Sequence, residues 1–447
     1  MIQTIRSAWK VQELRNKLLF TLFVLLIFRV GAAIPVPFID SDLLSQYMTE
    51  QSASIFGLLN VMSGDAFAYA TVFALSIQPY INSSIIVQLL TIAIPALERL
   101  SRDGGEEGKR KIAAITRYVT VAIALLQAFG YYTLIRSVEP SVLSTDGVWP
   151  AIVIIAAFTA GSAFVMWLGE QVTEFGVGNG ISIILFAGIV ARGPSMVTSV
   201  ISGVNSWTSG RDLPVPGWLV LVGVALLVVI AMLLLVLFVV FISNAERRIP
   251  VQYAKRVVGR KMYGGQSSHI PIKVNMSGVM PVIFAQAIAS IPATIGMFVP
   301  SAQTEGTGWY TFLQIFDSTG LVYSIVYFLL IVLFSYFYNT IQFNPVEVSN
   351  NLKKNGGFIP GFRPGKPTAD FLQKVISRLT LFGALYLAVV ALLPAITGNI
   401  MLALGFSAGS SLAIGGTSII IVVGVALETA KTLEAQLMMR HYKGFLE

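Results

Sequence analysis

Serine and histidine are the first residue types to test for chemistry, and neither is placed to do any. Gly405-Phe-Ser-Ala-Gly409 has the G-x-S-x-G spacing of a nucleophile elbow, which needs a strand-to-helix turn and a histidine base. The only histidines are His269 and His441. The charge pattern below puts both on the face opposite Ser407, which excludes a Ser–His hydrolase, intramembrane or otherwise. Gly361-Phe-Arg-Pro-Gly-Lys366 resembles a phosphate loop, but that motif's first glycine belongs five residues before Gly365, where Pro360 stands, and Pro367 replaces the magnesium-holding Ser or Thr. With no cysteine in the chain, thiol nucleophiles, disulfides and thiolate metal sites drop out as well. No enzymatic activity, metal or cofactor is expected.

The elements that would position any site are long apolar runs. The 447 residues are 55% hydrophobic and only 12% charged, about half the charge density of a soluble domain. Runs long enough to cross a hydrocarbon core recur at Leu18–Val36, Ala70–Ile94, Tyr118–Ile135, Ala151–Gly169, Ile181–Val200, Trp218–Ile242, Val279–Val299, Leu321–Ile341, Leu379–Ile396 and Leu412–Leu427. The fold class expected is therefore an all-α polytopic membrane protein with ten spans. The fifth span is the weakest, because Arg192, Gly193 and Pro194 interrupt it after about three helical turns. Met1 to Lys17 is polar and basic, and the first run is too long for a signal core, so no cleavable signal is expected. Of the 30 Lys and Arg, 26 fall in the N-terminal arm, the loops after spans two, six and eight, and the tail. The positive-inside rule places those segments, and both termini, in the cytoplasm.

Within the spans, polarity is informative by position. No Asp, Glu or His lies in the middle of any run, although proton- and ion-coupled carriers depend on such groups. Transport would then be passive and driven from elsewhere. Span two nevertheless carries Ser76, Gln78, Asn82, Ser83, Ser84, Gln88 and Thr91, more than interhelical hydrogen bonding usually needs. A water-accessible path along this helix is the functional reading. Just before it, Ser54 to Asp65 is apolar and glycine-containing yet too short to cross. Its residues read first as an amphipathic surface loop, with a re-entrant segment as the alternative.

Two loops, 244–275 and 344–374, are long and basic. The first interleaves β-favourable apolar residues with cations, and Val257-Val258-Gly259-Arg260-Lys261 reads as a hairpin tip. In the second, Pro360, Pro364 and Pro367 stiffen turns built on glycines and hold Arg363 and Lys366 outward. Contact with anionic phospholipids explains the charge. Docking of a large acidic or RNA-rich partner explains the length and rigidity too.

At this level of detail the chain resembles the SecY family, the central channel subunits of the bacterial general secretory translocon. The resemblance rests on Pro79-Tyr-Ile-Asn-Ser-Ser-Ile-Ile-Val-Gln-Leu-Leu90, Gly178-Asn-Gly-Ile-Ser-Ile183, Gln252-Tyr-Ala-Lys-Arg256, Lys273-Val-Asn-Met276, Phe358-Ile-Pro-Gly-Phe-Arg-Pro-Gly365 and Gly415-Gly-Thr-Ser418, in order along essentially the whole chain. It implies two five-helix halves, 1–202 and 203–447, in an inverted pseudo-repeat around an hourglass pore in the bacterial plasma membrane. The channel would translocate unfolded polypeptides and release apolar segments sideways into lipid. It also implies a plug at about 54–66, including Gly57, Leu58, Leu59, Asn60, Val61, Met62, Ser63 and Gly64. A pore ring would fall on Ile81, Ile85, Leu185, Ile189, Ile283 and Ile421, with Ile419 and Ile420 also fitting the last place; Leu185 departs from the family's usual isoleucine. A lateral gate would involve Gln88, Thr91 and Gln286. Arg260, Lys261, Arg363 and Lys366 would dock the SecA ATPase or the ribosome. SecE, SecG and signal-bearing preproteins complete the implied partners. The competing readings are a secondary transporter of a small solute and an insertase-like scaffold without an open pore.

Overall fold

The computed structural model describes residues 2–50, 60, 63–102, 104–138, 141–145, 147–195, 197–198, 201–202, 205, 217–253, 256–258, 261–263, 267–299, 308–315, 320–403 and 416–443. Each apolar run overlaps a helix or a broken helix pair. In chain order the first elements are α1 (Ile2–Lys10), α2 (Gln12–Gly31) and α3 (Ser41–Glu50), the last opened by Asp40, whose carboxylate accepts from the Asp42 and Leu43 amides at 3.1 and 3.2 Å.

The second run departs from its expected single span. Only α4 (Gln78–Ala93) is helical, and the backbone from Gly64 to Ile77 runs in turns. Positive φ at Asp65, Ala70 and Ser76 (71°, 43° and 48°) prevents a continuous helix. Neighbouring backbone satisfies the freed groups: the Val36 amide donates to Ala70 O at 3.1 Å and the Val72 amide to Ile34 O at 3.0 Å. Irregular chain survives in the membrane interior only with such partners. At the other end Pro95 opens α5 (Pro95–Arg102), turned by 104° from α4.

α6 (Gly105–Ser137) and α7 (Val148–Phe175) are long and continuous. α8 (Gly180–Ala191) starts at Asn179, whose side chain accepts from the Ile181 and Ser182 amides. It stops after 12 residues with Arg192 as its C-terminal cap, where the sequence places the break. α9 (Gly217–Asn244) is followed by the first basic loop. The seventh run divides into α10 (Met280–Ala289) and α11 (Ile291–Gly296), either side of Ser290. α12 (Gly308–Ile315), α13 (Leu321–Gln342), α14 (Pro345–Lys354), α15 (Lys366–Ala403) and α16 (Gly416–Lys443) complete the helices. Among the described residues, five helices are long and apolar enough to cross a membrane, or six if α4 and α5 count as one bent span.

The all-α expectation holds for the apolar runs and needs correction in the loops. β1 (Glu246–Tyr253) pairs antiparallel with β4 (Ser267–Lys273), from Glu246↔Lys273 to Gln252↔Ser267. β2 (Arg256–Val258) and β3 (Lys261–Tyr263) form the hairpin that the sequence anticipates, with Val258 opposite Lys261. β5 (Gly357–Phe358), from the other basic loop, pairs with β1 at Gln252↔Phe358 and Tyr253↔Gly357. The two loops are thus one unit. Ile249 and Val251 alternate inward from β1 and pack with Ile272, Leu352, Ile359 and Leu372. Ala8, Leu14, Val177 and Leu433 pack together and bring the chain's two ends to one face. The sheet is on that face too, since burial first and then the Lys273 ammonium lower the pKa of Lys431 on α16.

One apolar core runs through α2, α4, α7, α8, α9, α10, α13, α15 and α16. The turns before α4 are wedged against α7 at Gly161, where an added Cβ would lie 1.9 Å from Val72 O. Gly161→Leu should therefore cost about 3 kcal/mol or more through overpacking. A thermal melt of the purified protein reads this as a lowered midpoint.

Candidate functional site

A cavity of about 1360 Å³ opens between α4, α6, α8, α13 and α15. Ser84, Gln88, Thr91, Asn179, Asn339 and Thr380 make its walls polar, and it extends to Glu98 and Glu347 beside the basic-loop face. Ile81, Leu185 and Ile283 form its apolar inner end. Beyond them lies a second cavity of about 30 Å³, edged by Ser63, Ser76, Gln78, Gln127 and Thr294. Leu185 alone, among the described residues, lines both. Along α4 and its lead-in, polar side chains thus divide to either side of an apolar waist. Ser83 is a different case, buried against α6 and hydrogen-bonded to Thr120. Gln78 and Ser76 are buried with side-chain polar atoms that lack a protein partner, and both edge the small, largely apolar cavity.

Ile81, Ile85, Leu185, Ile189, Ile283 and Ile421 come from four helices and meet in one apolar cluster, none more than 6% exposed. Ile419 and Ile420 are buried in the same cluster, so burial does not separate Ile421 from them. Aliphatic groups at such a constriction form no hydrogen bonds with whatever passes and dewet when nothing does.

Of the plug residues, Gly57, Leu58, Leu59, Val61 and Met62 lie outside the described residues. Asn60, Ser63 and Gly64 are placed, and they correct the surface-loop reading for this end of the segment. Ser63 is 2% exposed, and its Oγ accepts from the Phe67 amide at 3.0 Å. Gly64 has φ +68°, and a Cβ there would sit 2.7 Å from Gly188 O on α8. The Arg29 guanidinium points at Gly64 O from 3.5 Å. Asp65 accepts from Asn60 Nδ2 at 3.0 Å and pairs with Arg192 Nε at 2.9 Å. The last is a contact of charges, the N–H not being aimed along it. Sequence reasoning missed the pair: Arg192 figures there only as an interruption, and Asp65 only as a boundary.

The lateral-gate residues divide. Gln88 and Thr91 face the large cavity. Gln286 is buried on α10, which packs against α4. Gln88 shares that cavity with Tyr338 of α13, and Gln286 is not among the residues around it. On the basic loops, Arg363 and Lys366 are exposed. Their turn is held from behind, as Thr368 Oγ1 donates to Arg363 O at 2.8 Å and Ser349 Oγ to Gly365 O at 2.7 Å. Phe362 stacks on Phe371 with ring centroids 4.1 Å apart. Gly361 and Gly365 carry φ of 88° and 104°, the turn glycines that the sequence reading requires. The Lys261 backbone is in β3, and Arg260 lies outside the described residues.

The family model described as SecY matches residues 71–430. The chain belongs to the SecY family. Among its curated relatives, a protein translocase subunit SecY from Streptomyces galbus is 43% identical over 458 aligned residues, covering all of both chains. One from Mycobacterium bovis is 42% identical, again over all of both. The fold is that of a solved structure described as a protein conducting channel, with TM-score 0.60 at 18% identity over 94% of this chain and 92% of that one. The waist, the re-entrant turns and the knitted basic loops therefore belong to a SecY-family membrane protein, and every motif that carries the resemblance to that family lies on an element the structure describes at least in part.

Proposed function

We infer that the chain is a passive protein-conducting channel that moves unfolded polypeptides across the membrane and releases apolar segments into lipid. Family membership carries the coarse statement: this is a membrane-embedded protein translocase subunit, a channel and not an enzyme. The observation that best supports the finer reading is the apolar waist between two cavities, with Leu185 common to both. Ile81, Ile85, Leu185, Ile189, Ile283 and Ile421 form its ring, and residues 54–66 its plug. Ten crossings in two five-helix halves, 1–202 and 203–447, make the hourglass as an inverted pseudo-repeat. The parting seam runs between α4 and α10, beside Gln88, Thr91 and Gln286. A segment of about 20 apolar residues leaves through it by hydropathy.

The plasma membrane of a bacterium, with both termini cytoplasmic, fits the charge bias and the bacterial relatives. Arg260, Lys261, Arg363 and Lys366 dock the pushing partner, SecA or the ribosome; SecE and SecG are the small membrane partners, and anionic phospholipids flank the basic loops. A small-solute transporter is disfavoured by the lack of titratable midplane groups. Vesicles containing the purified complex, supplied with SecA, ATP and a signal-bearing preprotein, should protect that preprotein from added protease. Full digestion under conditions where the motor is active would sink the channel reading.

A further inference from the structure

The Asp65–Arg192 pair joins the end of the plug segment to the C-terminus of α8. Arg192 caps α8, where the unpaired carbonyls of the last turn favour a cation. The same helix supplies Leu185 and Ile189 to the waist. Asp65 stands where the plug segment meets the turns before α4, and Asn60 Nδ2 and the Arg192 guanidinium converge on its Oδ1. Ser195 Oγ lies 3.3 Å from its Oδ2. One residue away, Gly64 is seated on Gly188 of α8. The pair is partly shielded, with side chains 23% and 27% exposed, so it is worth more than an open surface ion pair.

We propose that Asp65 and Arg192 form a latch between plug and ring helix that determines specificity, setting how strong a signal segment must be to open the channel. The latch rests on the plug reading above. A chain entering the waist pushes α8 outward, and the ion pair then resists, because moving α8 drags Arg192 away from Asp65. A strongly apolar signal supplies enough binding energy to part them, whereas a defective one does not.

The test uses resting chloride leak of the reconstituted complex, measured without motor or substrate. Asp65→Asn removes the charge with a residue equally tolerant of the left-handed backbone at this position (φ 71°). Asp65→Asn and Arg192→Gln should each raise the leak about five-fold and admit a preprotein with a charge in its signal core. Arg192→Lys keeps the cation and should stay near wild type. The double variant should leak no more than the leakier single, as partners in one interaction do. Wild-type leak in both singles, or leaks that multiply in the double, would overturn the latch. Deleting 54–62 separates the two ideas: a leaky deletion with tight singles removes only the latch, while a tight deletion removes the plug reading and the latch with it. Uptake of a preprotein with an intact signal reports that each variant is folded.

Discussion

Leu185→Asn should make the resting channel conduct ions and pass preproteins whose signals are defective. Leu185 is 1% exposed and walls both cavities, so the partition between the two spaces is at its thinnest there. An amide at that point is buried without a partner unless water reaches it, at a cost of about 1–3 kcal/mol. Polar side chains edge both neighbouring cavities, Ser84 and Asn179 on one side and Ser76 and Gln78 on the other, so water is the partner nearest to hand. Bridging them replaces a dewetted gap by a continuous file. The expected rise in resting conductance is at least about ten-fold, the factor that ~1.4 kcal/mol in the closed-state preference produces. Ile81→Asn and Ile283→Asn should act in the same direction, since both side chains end the large cavity at the same waist. Leu185→Ile should stay closed. If all three Asn variants keep wild-type conductance and signal discrimination, the ring has been placed on the wrong residues.

Arg363→Glu is expected to reduce motor-driven export more than about ten-fold while leaving the channel folded and inserted. The reasoning separates backbone from side chain. The turn uses the Arg363 carbonyl, which accepts from Thr368 Oγ1 at 2.8 Å, while the guanidinium is exposed. Reversing the charge therefore spares the turn and presents an acidic partner with like charge, which costs several kcal/mol at a docking contact. Thr368→Val makes the opposite cut: it removes the hydrogen bond behind the turn and leaves the cation. ATP-dependent preprotein protection and a thermal melt, measured on both variants, distinguish the two. Loss of export with an unchanged melt supports docking, and a lowered melt for Arg363→Glu would return that residue to a structural role.

Much of this arrangement is legible in the residues, for reasons that are local. Hydropathy sums over contiguous positions, so every apolar run overlaps a helix. The break in span five follows from Gly193 and Pro194 beside Arg192, and the hairpin tip from Val257-Val258-Gly259. The single-helix reading of Ala70–Ile94 fails for a physical reason. Composition there is apolar enough for a span, but left-handed residues at Ala70 and Ser76 are paid no attention by hydropathy, and strand-like bonds to Val36 and Ile34 replace the helical ones. The surface-loop reading before it is corrected at its end alone, where Ser63 is buried and lines a cavity with Leu185 and Thr294.

By itself, then, the amino-acid sequence determined a membrane-spanning helical chain with basic loops on one face, no titratable group at the midplane and no enzyme-like constellation. Its motifs also carried the family. Only the tertiary structure decided which of the many aliphatic side chains meet at the waist, that β5 joins the two basic loops through β1, and that Asp65 faces Arg192. The reason is common to all three. Apolar pairs at helical spacing occur in every span, and exposed and buried cations read alike in one dimension. What singles out Leu185, Gln252↔Phe358 and the Asp65–Arg192 pair is contact between segments far apart in the chain, and those contacts exist only once the helices have packed.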